Sequence, residues 1–330
     1  MKLPFEPKLL AYSTSWTKNR IATVLIPFPT VKLAELRTHR VLHQHEGEVV
    51  DTLTNDTSLS LNANSSRAIP ASKQIDMAKT NPYIPIWTTK QKGMQGKYVN
   101  DSGTKLELNK IWQSALRKMI TNTNNLIKKD VHKQDIGLLV NPFSWTACVI
   151  SGDMAAWNSF FALRCPNYVT KSGVYYSKKS IPEGEEIVEN KSMTYPAVQY
   201  IAEIIYDMLM YTTPTYLEPG EWHCPFLYNG EKNIAVSMSK CAMISYDTQD
   251  KDDSIESHLN RAKRLIDYGH VSTAEHQYQV PKPFDFNHGN FDQVSVVNGD
   301  KIELITGKYF GPVKHWKQLR KLIEAGEFNV

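Results

Sequence analysis

The stretch Leu36-Arg-Thr-His-Arg-Val-Leu42 and, after a polar interval, the stretch Ser60-Leu-Asn-Ala-Asn-Ser-Ser-Arg67 are dense in side chains that bind phosphate. Arg37, His39 and Arg40 place two guanidinium groups and an imidazole within four residues. Guanidinium groups bind phosphate through paired hydrogen bonds and stack on planar rings, and serine hydroxyls add neutral donors. The pattern therefore indicates a site for a phosphorylated, planar ligand. A basic helix end followed by a polar loop is the alternative interpretation.

The composition is that of a soluble globular protein. The chain has 330 residues, of which 41% are hydrophobic and 22% charged. This length suits one large domain or two small ones, and we expect a single catalytic domain over residues 1–330. The net charge of +4 is too small to indicate nucleic-acid binding, although it is compatible with an anionic small ligand.

Membrane insertion and structural zinc are not expected. No apolar run reaches the roughly 20 residues that a membrane helix needs, and the N-terminal residues lack the apolar core of a signal peptide. The cysteines are widely spaced and form no Cys-x-x-Cys pair, which favours a reducing, cytoplasmic compartment and buried thiols. They are Cys148, Cys165, Cys224 and Cys241.

Hydrophobic patterning predicts a mixed α/β fold with a central sheet and long amphipathic helices. The predicted strands are 8–15, 20–26 (ending at Pro27), and a hairpin of 294–297 with 301–305. The predicted helices are 31–42 (capped by Thr30), 105–129, 154–164 (capped by Asp153), 195–211, 255–268 (ended by Gly269) and 313–325.

The remaining segments are predicted to be irregular or polar. Residues 69–97 read as an irregular stretch, 217–223 as a turn, and 43–59 and 166–194 as polar excursions. Residues 143–151 suit a strand or a buried helix. In the first excursion His43, His45 and Glu46 have a spacing too tight for a helical metal motif, so a surface excursion is favoured over a metal site.

With residues 43–59 removed, the opening stretch reads Thr-His-Arg-Val-Leu-Ser-Leu-Asn-Ala-Asn-Ser-Ser-Arg. This sequence resembles the Arg-His-Arg-x-x-Ser-x-Asn-x-x-Ser-x-Arg signature of flavin-dependent thymidylate synthases, in a branch often carried by bacteriophages. Asn158-Ser-Phe-Phe-Ala-Leu-Arg164 is similar to the second motif of the family, and Glu275-His276 to a third. The phage branch is also resembled by Trp316-x-Gln-x-Arg-Lys321 and by the segments 81–87 and 91–96. We derive no chemistry for the segments 81–87 and 91–96.

The resemblance implies a flavin-dependent enzyme that methylates dUMP at C5. It implies bound FAD, NADPH as reductant, methylenetetrahydrofolate as carbon donor, and a homotetramer with active sites between subunits. It implies a soluble enzyme, in the host cytoplasm if phage-encoded, without membrane or nucleic-acid partners. The residue roles that it implies are His39, Arg40, Asn62 and His276 at the flavin, Ser65, Ser66 and Arg67 at the nucleotide, and Arg164 at the pyrimidine, with Arg164 and Ser65 as the catalytic pair.

The sequence departs from the family pattern in ways that leave other functions open. The signature is split, and Leu138 stands where the family keeps a phosphate-binding arginine; Lys133 is a candidate replacement. Losing one such contact costs about 1.5–3 kcal/mol, the value of a hydrogen bond to a charged group. Two alternatives follow: an enzyme of the same scaffold that leaves a hydroxymethyl group or acts on dCMP, and a non-catalytic nucleotide-binding or structural paralogue.

Overall fold

The computed structural model describes residues 1–37, 60–63, 69–90, 96–191, 194–227, 231–244, 252–282, 293–297, 301–306, 309, 313 and 315–330. The strands are β1 Lys8–Ser15, β2 Arg20–Pro29, β3 Ser60–Ala63, β4 Trp145–Asp153, β5 Asn167–Thr170, β6 Val174–Tyr175, β7 Ile187–Lys191, β8 Thr215–Leu217, β9 Trp222–His223, β10 Tyr278–Gln279, β11 Gln293–Val297, β12 Lys301–Thr306 and β13 Lys317–Gln318. The α-helices are α1 Leu33–Arg37, α2 Ala71–Thr80, α3 Ser102–Ile127, α4 Lys133–Val140, α5 Met154–Arg164, α6 Pro196–Met210, α7 Ile234–Met243, α8 Ile255–Asp267 and α9 Leu319–Glu324.

The central sheet has the strand order β3-β4-β2-β1-β8. Its pairs are antiparallel except for β1 with β8, which is parallel. Strands β2 and β4 pair along their whole shared length, from Ile21 opposite Asp153 to Pro29 opposite Trp145. The predicted mixed α/β class with a central sheet is confirmed.

The two faces of the central sheet are covered by different layers. On one face, apolar residues of β1, β2 and β4 pack against α5 and α6. On the other face, Ile21 packs with Tyr278 and Trp316 from the layer that contains β10 and β13. Since successive residues of a strand point to opposite faces, Ala22 and Val24 join the first core while Ile21 and Thr23 face the second layer.

Three helices form a separate cluster beside the sheet. Helices α2, α3 and α4 bury a shared core that includes Ile75, Leu116, Met119 and Ile136. The chain between α2 and α3 is tied to this cluster, because Tyr83 N donates to Phe143 O at 2.9 Å and Trp112 Nε1 donates to Tyr83 O at 2.7 Å. None of the helices in the described part of the chain has the length and apolar character that crossing a bilayer requires.

Several predicted elements are confirmed. β1, α3, α5, α6, α8 and the β11–β12 hairpin lie within a few residues of the predicted bounds. Asp153 caps α5 as expected, since its carboxylate accepts from Ala156 N at 2.8 Å. Gly269 follows α8 with a φ of +70°, a conformation that glycine adopts without strain.

Other predictions are wrong near prolines and helix starts. β2 continues through Pro27 to Pro29, where it pairs with β4 alone because the pairing with β1 ends at Leu25. A proline is tolerated where no second neighbour needs its N–H. The N-cap of the 3₁₀ turn before α1 is Pro29 and not Thr30. The segment 69–97 is not wholly irregular, because it contains α2, whose Ile75 and Ala78 are buried against α3 and α4.

The described part of the polar segment 166–194 is also more ordered than predicted, whereas the segment 43–59 lies outside the described residues. Within 166–194, β5, β6 and β7 form a small sheet, which is held to α6 by Tyr168 Oη donating to Glu203 Oε2 at 2.8 Å. Residues 217–223 contribute strand residues to β8 and β9. The last helix is only α9, because β13 precedes it and His315 has a φ of +66°, which a helix excludes. Two apolar residues of the predicted amphipathic helices are largely exposed, Ile111 of α3 at 67% and Leu163 of α5 at 48%.

Candidate functional site

Arg164 is the last residue of α5 and lies almost completely inside the protein. The helix buries Trp157, Phe160 and Phe161 against the central sheet. The side chain of Arg164 is only 8% exposed. A buried guanidinium is costly unless its donors are used, so its partners decide what it does.

The guanidinium of Arg164 reaches the helix that leads into the first half of the split signature. Arg164 Nη2 donates to the Glu35 carbonyl oxygen at 3.0 Å, and its Cζ lies 5.1 Å from the centre of the Phe160 ring. Burial lowers the pKa of Arg164, and the Glu35 carboxylate opposes this effect. An arginine remains protonated in proteins, so the site contains a buried positive charge.

A ring of polar and aromatic contacts surrounds Glu35. Its carboxylate accepts from Lys32 Nζ at 2.9 Å and from Thr194 Oγ1 at 3.4 Å. Lys32 Nζ also lies 3.9 Å from the centre of the Tyr195 ring, and Tyr83 Oη donates to Tyr195 Oη at 3.2 Å. Burial raises the pKa of Tyr83 well above its usual range, so this phenol stays protonated.

The described backbone brings both halves of the split signature to one end of the central sheet. β2 ends with Pro29 opposite Trp145, and α1 follows it directly. β3 runs in the same direction as β2 and ends with Ala63 opposite Cys148, so its chain leaves β4 three residues before Trp145 and heads toward the same end. α5 starts at the other end of β4 and returns, which is why Arg164 meets α1. The exits of α1 and β3 and the end of α5 therefore lie at one edge of the fold.

The remaining signature side chains lie outside the described residues. They are His39, Arg40, Ser65, Ser66 and Arg67. Asn62 is described only through its backbone, which pairs with Val149 in β4. Their roles at the flavin and the nucleotide stay predictions.

His276, predicted at the flavin, lies on the other face of the central sheet. It is fully buried, and its Nδ1 shares a hydrogen bond of 2.8 Å with Ser151 Oγ. Ser151 alternates with Cys148 and Ile150, which pack against α5. The structure therefore does not bring His276 and Arg164 together within one chain.

His276 is one end of a buried chain of hydrogen bonds across the sheet. Ser151 Oγ meets Thr23 Oγ1 at 2.6 Å, and Thr23 Oγ1 meets His223 Nε2 at 2.8 Å. The other nitrogen of His223 meets Ser13 Oγ at 2.8 Å. Each hydroxyl donates once, so the tautomers of His223 and His276 are linked through the chain.

Burial keeps both imidazoles neutral. It lowers the pKa of His223 and of His276 to about 3, and each histidine is fully enclosed; the neighbouring His276 adds to the effect on His223. His276 Nε2 has no hydrogen-bond partner among the described residues. The ring of His276, the one flavin-assigned residue whose side chain is described, does not fit a flavin contact because it is not accessible.

Sequence patterns did not predict several residues around Arg164 or several residues hydrogen-bonded in series with His276. Glu35, Lys32 and Tyr195 carry no motif of their own. Glu35 meets Arg164 only through the fold, and Lys32 contacts both Glu35 and Tyr195. Thr23 and Ser151 had a usable signal, since a hydroxyl in an otherwise apolar buried strand indicates a polar partner on that face. His223 lies in the segment 217–223, which was predicted only as a turn.

Leu138 and Lys133 both lie on α4. Leu138 is 71% exposed, and Lys133 is the first residue of the helix. The position that in the family carries a phosphate-binding arginine is therefore an outward-facing apolar residue here. No group of three or more histidine, cysteine or acidic side chains within the described ranges is placed to hold a metal ion.

Comparison with known proteins yields only distant structural similarity. No protein-family model matches the sequence, and no curated protein matches it significantly. The UMP/dUMP methylase PolB from Streptomyces cacaoi bound with 5-Br UMP is similar at 12% identity, with 63% of this chain and 89% of that chain covered and a TM-score of 0.40. PolB bound with 5-Br dUMP is also 12% identical, with 58% of this chain and 65% of that chain covered and a TM-score of 0.36. We base the proposed function on this chain's own residues.

Proposed function

We propose that the protein is a flavin-dependent thymidylate synthase-like enzyme that methylates dUMP reductively at C5. It would use FAD, NADPH and methylenetetrahydrofolate. The observation that supports this proposal best is the backbone arrangement at one edge of the sheet. There the two halves of the split signature leave α1 and β3, and the buried Arg164 guanidinium contacts α1 at Glu35.

The chain's own residues would bind and polarise the nucleotide. Arg67, with Ser65 and Ser66, would hold the phosphate and the sugar, because a guanidinium fork and hydroxyls suit phosphate oxygens. Arg164 would donate to a carbonyl oxygen of the pyrimidine and stabilise negative charge that develops there. Its burial strengthens this effect because water screens it less.

The flavin would supply the reducing electrons when bound. Its assignment rests on the signature residues His39, Arg40 and Asn62, because the enclosed ring of His276 does not fit a contact with it. The resemblance further implies a homotetramer with composite active sites, so that residues from different subunits would complete each site.

Three of the described cysteines, Cys165, Cys224 and Cys241, do not favour the other known route to thymidylate, which uses a cysteine thiolate. Burial raises the pKa of Cys224 to about 12, and it raises the pKa of Cys165 and Cys241 further above the usual range. Thiols with such pKa values carry almost no thiolate at neutral pH.

One observation favours a change in substrate or product. The exposed Leu138 cannot bind a phosphate as an arginine would, so the nucleotide would be held differently. The second candidate is therefore the hydroxymethylating or dCMP-using enzyme of the same scaffold. A non-catalytic paralogue would bind nucleotide without turnover.

Nucleotide affinity tests whether the split signature forms one site. The dissociation constant for dUMP would be measured by calorimetry with the wild type, Arg67→Ala and the control Arg117→Ala, which changes an exposed arginine of α3. We expect Arg67→Ala to weaken binding by about tenfold or more, from the loss of a hydrogen bond to a charged group. Unchanged affinity in Arg67→Ala would show that the two halves do not meet at the nucleotide.

A further inference from the structure

A cavity lies beside the 81–87 segment, whose sequence resembles the phage branch and has no assigned chemistry. Its volume is about 510 Å³, within the usual range for small-molecule sites. It lies between this segment, residues 98–100 and the first turns of α3. Phe160, Lys32 and Thr194, which contact Arg164 or Glu35, are not among its lining residues.

The walls of this cavity are held in place by hydrogen bonds. Trp87 Nε1 donates to Asn109 Oδ1 of α3 at 2.7 Å, and the Trp87 ring meets the Trp112 ring edge-on at 5.9 Å between centroids. Val99 N donates to Trp87 O at 3.0 Å, and Thr88 pairs with Tyr98 in an antiparallel bridge. A preformed site binds with a smaller entropic cost than one that must be ordered by its ligand.

The lining combines flat apolar surfaces with a small set of polar groups. Trp87 and Tyr98 are the aromatic residues, and the prolines Pro82 and Pro85 add rigid apolar surface. Three amide side chains supply donors and acceptors: Asn81, Asn100 and Asn109. Aromatic and proline faces suit a planar ring, and the amides suit its polar edge.

The charge of the cavity is positive. Lys2 and Lys105 line it, and none of its described lining residues is acidic. The adjacent Asp101 is occupied as the N-cap of α3, since its carboxylate accepts from Thr104 N at 2.6 Å. The start of a helix of this length adds a favourable field for an anion.

We propose that this cavity is a binding site for a small planar heteroaromatic anion, a ring system that carries a phosphate or carboxylate. The ring would lie against Trp87 and Tyr98, the amides would hydrogen-bond its edge, and Lys105 and Lys2 would pair with the anionic group. A nucleotide and a pterin carboxylate share this chemistry. The inference does not depend on the proposed function, because it rests on different residues.

The test is calorimetric titration of the full chain with dTMP, with 5-formyltetrahydrofolate and with inorganic phosphate. All titrations are repeated in the double variant Arg67→Ala/Arg164→Ala, which removes both guanidinium groups of the proposed nucleotide site, so that binding there is distinguished from binding in the cavity. The variant Lys105→Gln removes one cation from the cavity. The matched control is Lys110→Gln, which removes an exposed lysine from the same helix outside the cavity.

We expect one of the two ring-bearing anions to bind in both the wild type and Arg67→Ala/Arg164→Ala. Lys105→Gln should weaken that binding by about five- to tenfold, and Lys110→Gln by less than twofold; inorganic phosphate alone should bind at least tenfold more weakly. Whichever probe binds identifies the source. Equal affinity in Lys105→Gln and Lys110→Gln, or no binding of either ring-bearing anion to folded protein, would overturn the proposal.

Trp87→Leu gives an independent check if Lys105→Gln changes only long-range charge. It removes the ring against which the ligand would lie and leaves both lysines. We expect it to abolish the ligand-induced change in tryptophan fluorescence and to weaken binding at least fivefold, with the circular dichroism spectrum unchanged. Wild-type affinity in folded Trp87→Leu would also overturn the proposal.

Discussion

Arg164 is the residue on which the proposed chemistry depends most. It keeps a positive charge in an almost dry position, between the Phe160 ring and the backbone of α1. We expect Arg164→Ala to lower kcat/KM for dUMP by about 10²–10³-fold, the effect of removing one preorganised donor from a developing charge. Arg164→Lys should recover little, because an ammonium group lacks the planar fork.

The measurement is steady-state turnover of each variant, with Arg117→Ala as a surface control that should match the wild type. Circular dichroism and the thermal midpoint establish that the variants are folded. Folded Arg164→Ala with turnover within fivefold of the wild type would remove Arg164 from the catalytic residues.

Gly96 is required by the space around it. A Cβ atom at this position would lie 2.6 Å from both Thr88 Cβ and Thr89 O, so the pairing between residues 88–89 and 97–98 would have to shift. We expect Gly96→Ala to lower the free energy of unfolding by about 1–3 kcal/mol, the usual cost of overpacking. Urea unfolding measures this change.

Gly173→Ala is the control for Gly96→Ala. A Cβ atom at Gly173 would come no closer than 3.6 Å, to the Tyr175 hydroxyl, which is ordinary van der Waals contact. Its stability should stay within about 0.5 kcal/mol of the wild type, as for most surface substitutions. Equal stability of the two alanine variants would show that the chain relaxes around Gly96.

At the residue scale the sequence predicted Arg164 through its motif but not its partners. Glu35 meets Arg164 through a tertiary contact of its backbone carbonyl that leaves no local pattern. The burial of His276 was not predictable from the sequence either. His276 follows a short 3₁₀ helix without hydrophobic periodicity, and it is enclosed by strands that are distant in sequence.

Helix α5 is the element that carries Arg164, and its start is fixed by Asp153. We expect Asp153→Ala to lower the free energy of unfolding by about 1 kcal/mol, in the range of lost N-caps. Asp153→Asn should retain most of the stability, because an amide oxygen also accepts from Ala156 N. Chemical denaturation compares the variants, and equal losses in both would assign the effect to the carboxylate's charge and not to the cap.

Helices and strands with a strong hydrophobic periodicity were predictable from the sequence, and those whose structure depends on tertiary packing were not. The stripes of α3 and α8 and the alternation of β1 are local signals. α2 has few apolar residues, and its helical form depends on burial against α3 and α4. The small sheet of β5, β6 and β7 depends on anchors such as Tyr168 to Glu203, which periodicity does not reveal.

At the scale of the whole molecule, the series of side-chain hydrogen bonds that runs from Ser13 to His276 joins the central sheet to the layer that covers it. Because burial holds the pKa of His223 and His276 at about 3, below the ordinary value near 6.5, the unfolded chain binds more protons in this interval. The free energy of unfolding should therefore fall as the pH drops below about 6.5, by about 1.4 kcal/mol per pH unit for each histidine, until the folded state also protonates.

Unfolding measured at pH 7 and pH 5 tests this linkage. We expect each histidine to account for about 2 kcal/mol of the loss between these values. His276→Asn should be less stable at pH 7 but should lose about 2 kcal/mol less on acidification than the wild type. An identical loss in both proteins would mean that His276 is not held neutral by burial.

The site as a whole was only partly accessible to sequence reasoning. The joining of the split signature was predicted from motif order, and the register of β3 and β2 on β4 supports it by bringing the two exits to one edge. The placement of His276 on the opposite face was not predictable, since motif order says nothing about which face of a sheet a residue meets.

The mass of the nucleotide product tests the central proposal most directly. Purified full-length protein would be incubated with FAD, NADPH, methylenetetrahydrofolate and either dUMP or dCMP, and the nucleotide analysed by mass spectrometry. We predict that dUMP gains the mass of one CH2 unit, because a methyl group replaces the C5 hydrogen, and that dCMP is unchanged. A hydroxymethyl increment, or reaction with dCMP alone, would favour the second candidate, and unmodified nucleotide from folded, flavin-supplied protein would contradict the proposed function.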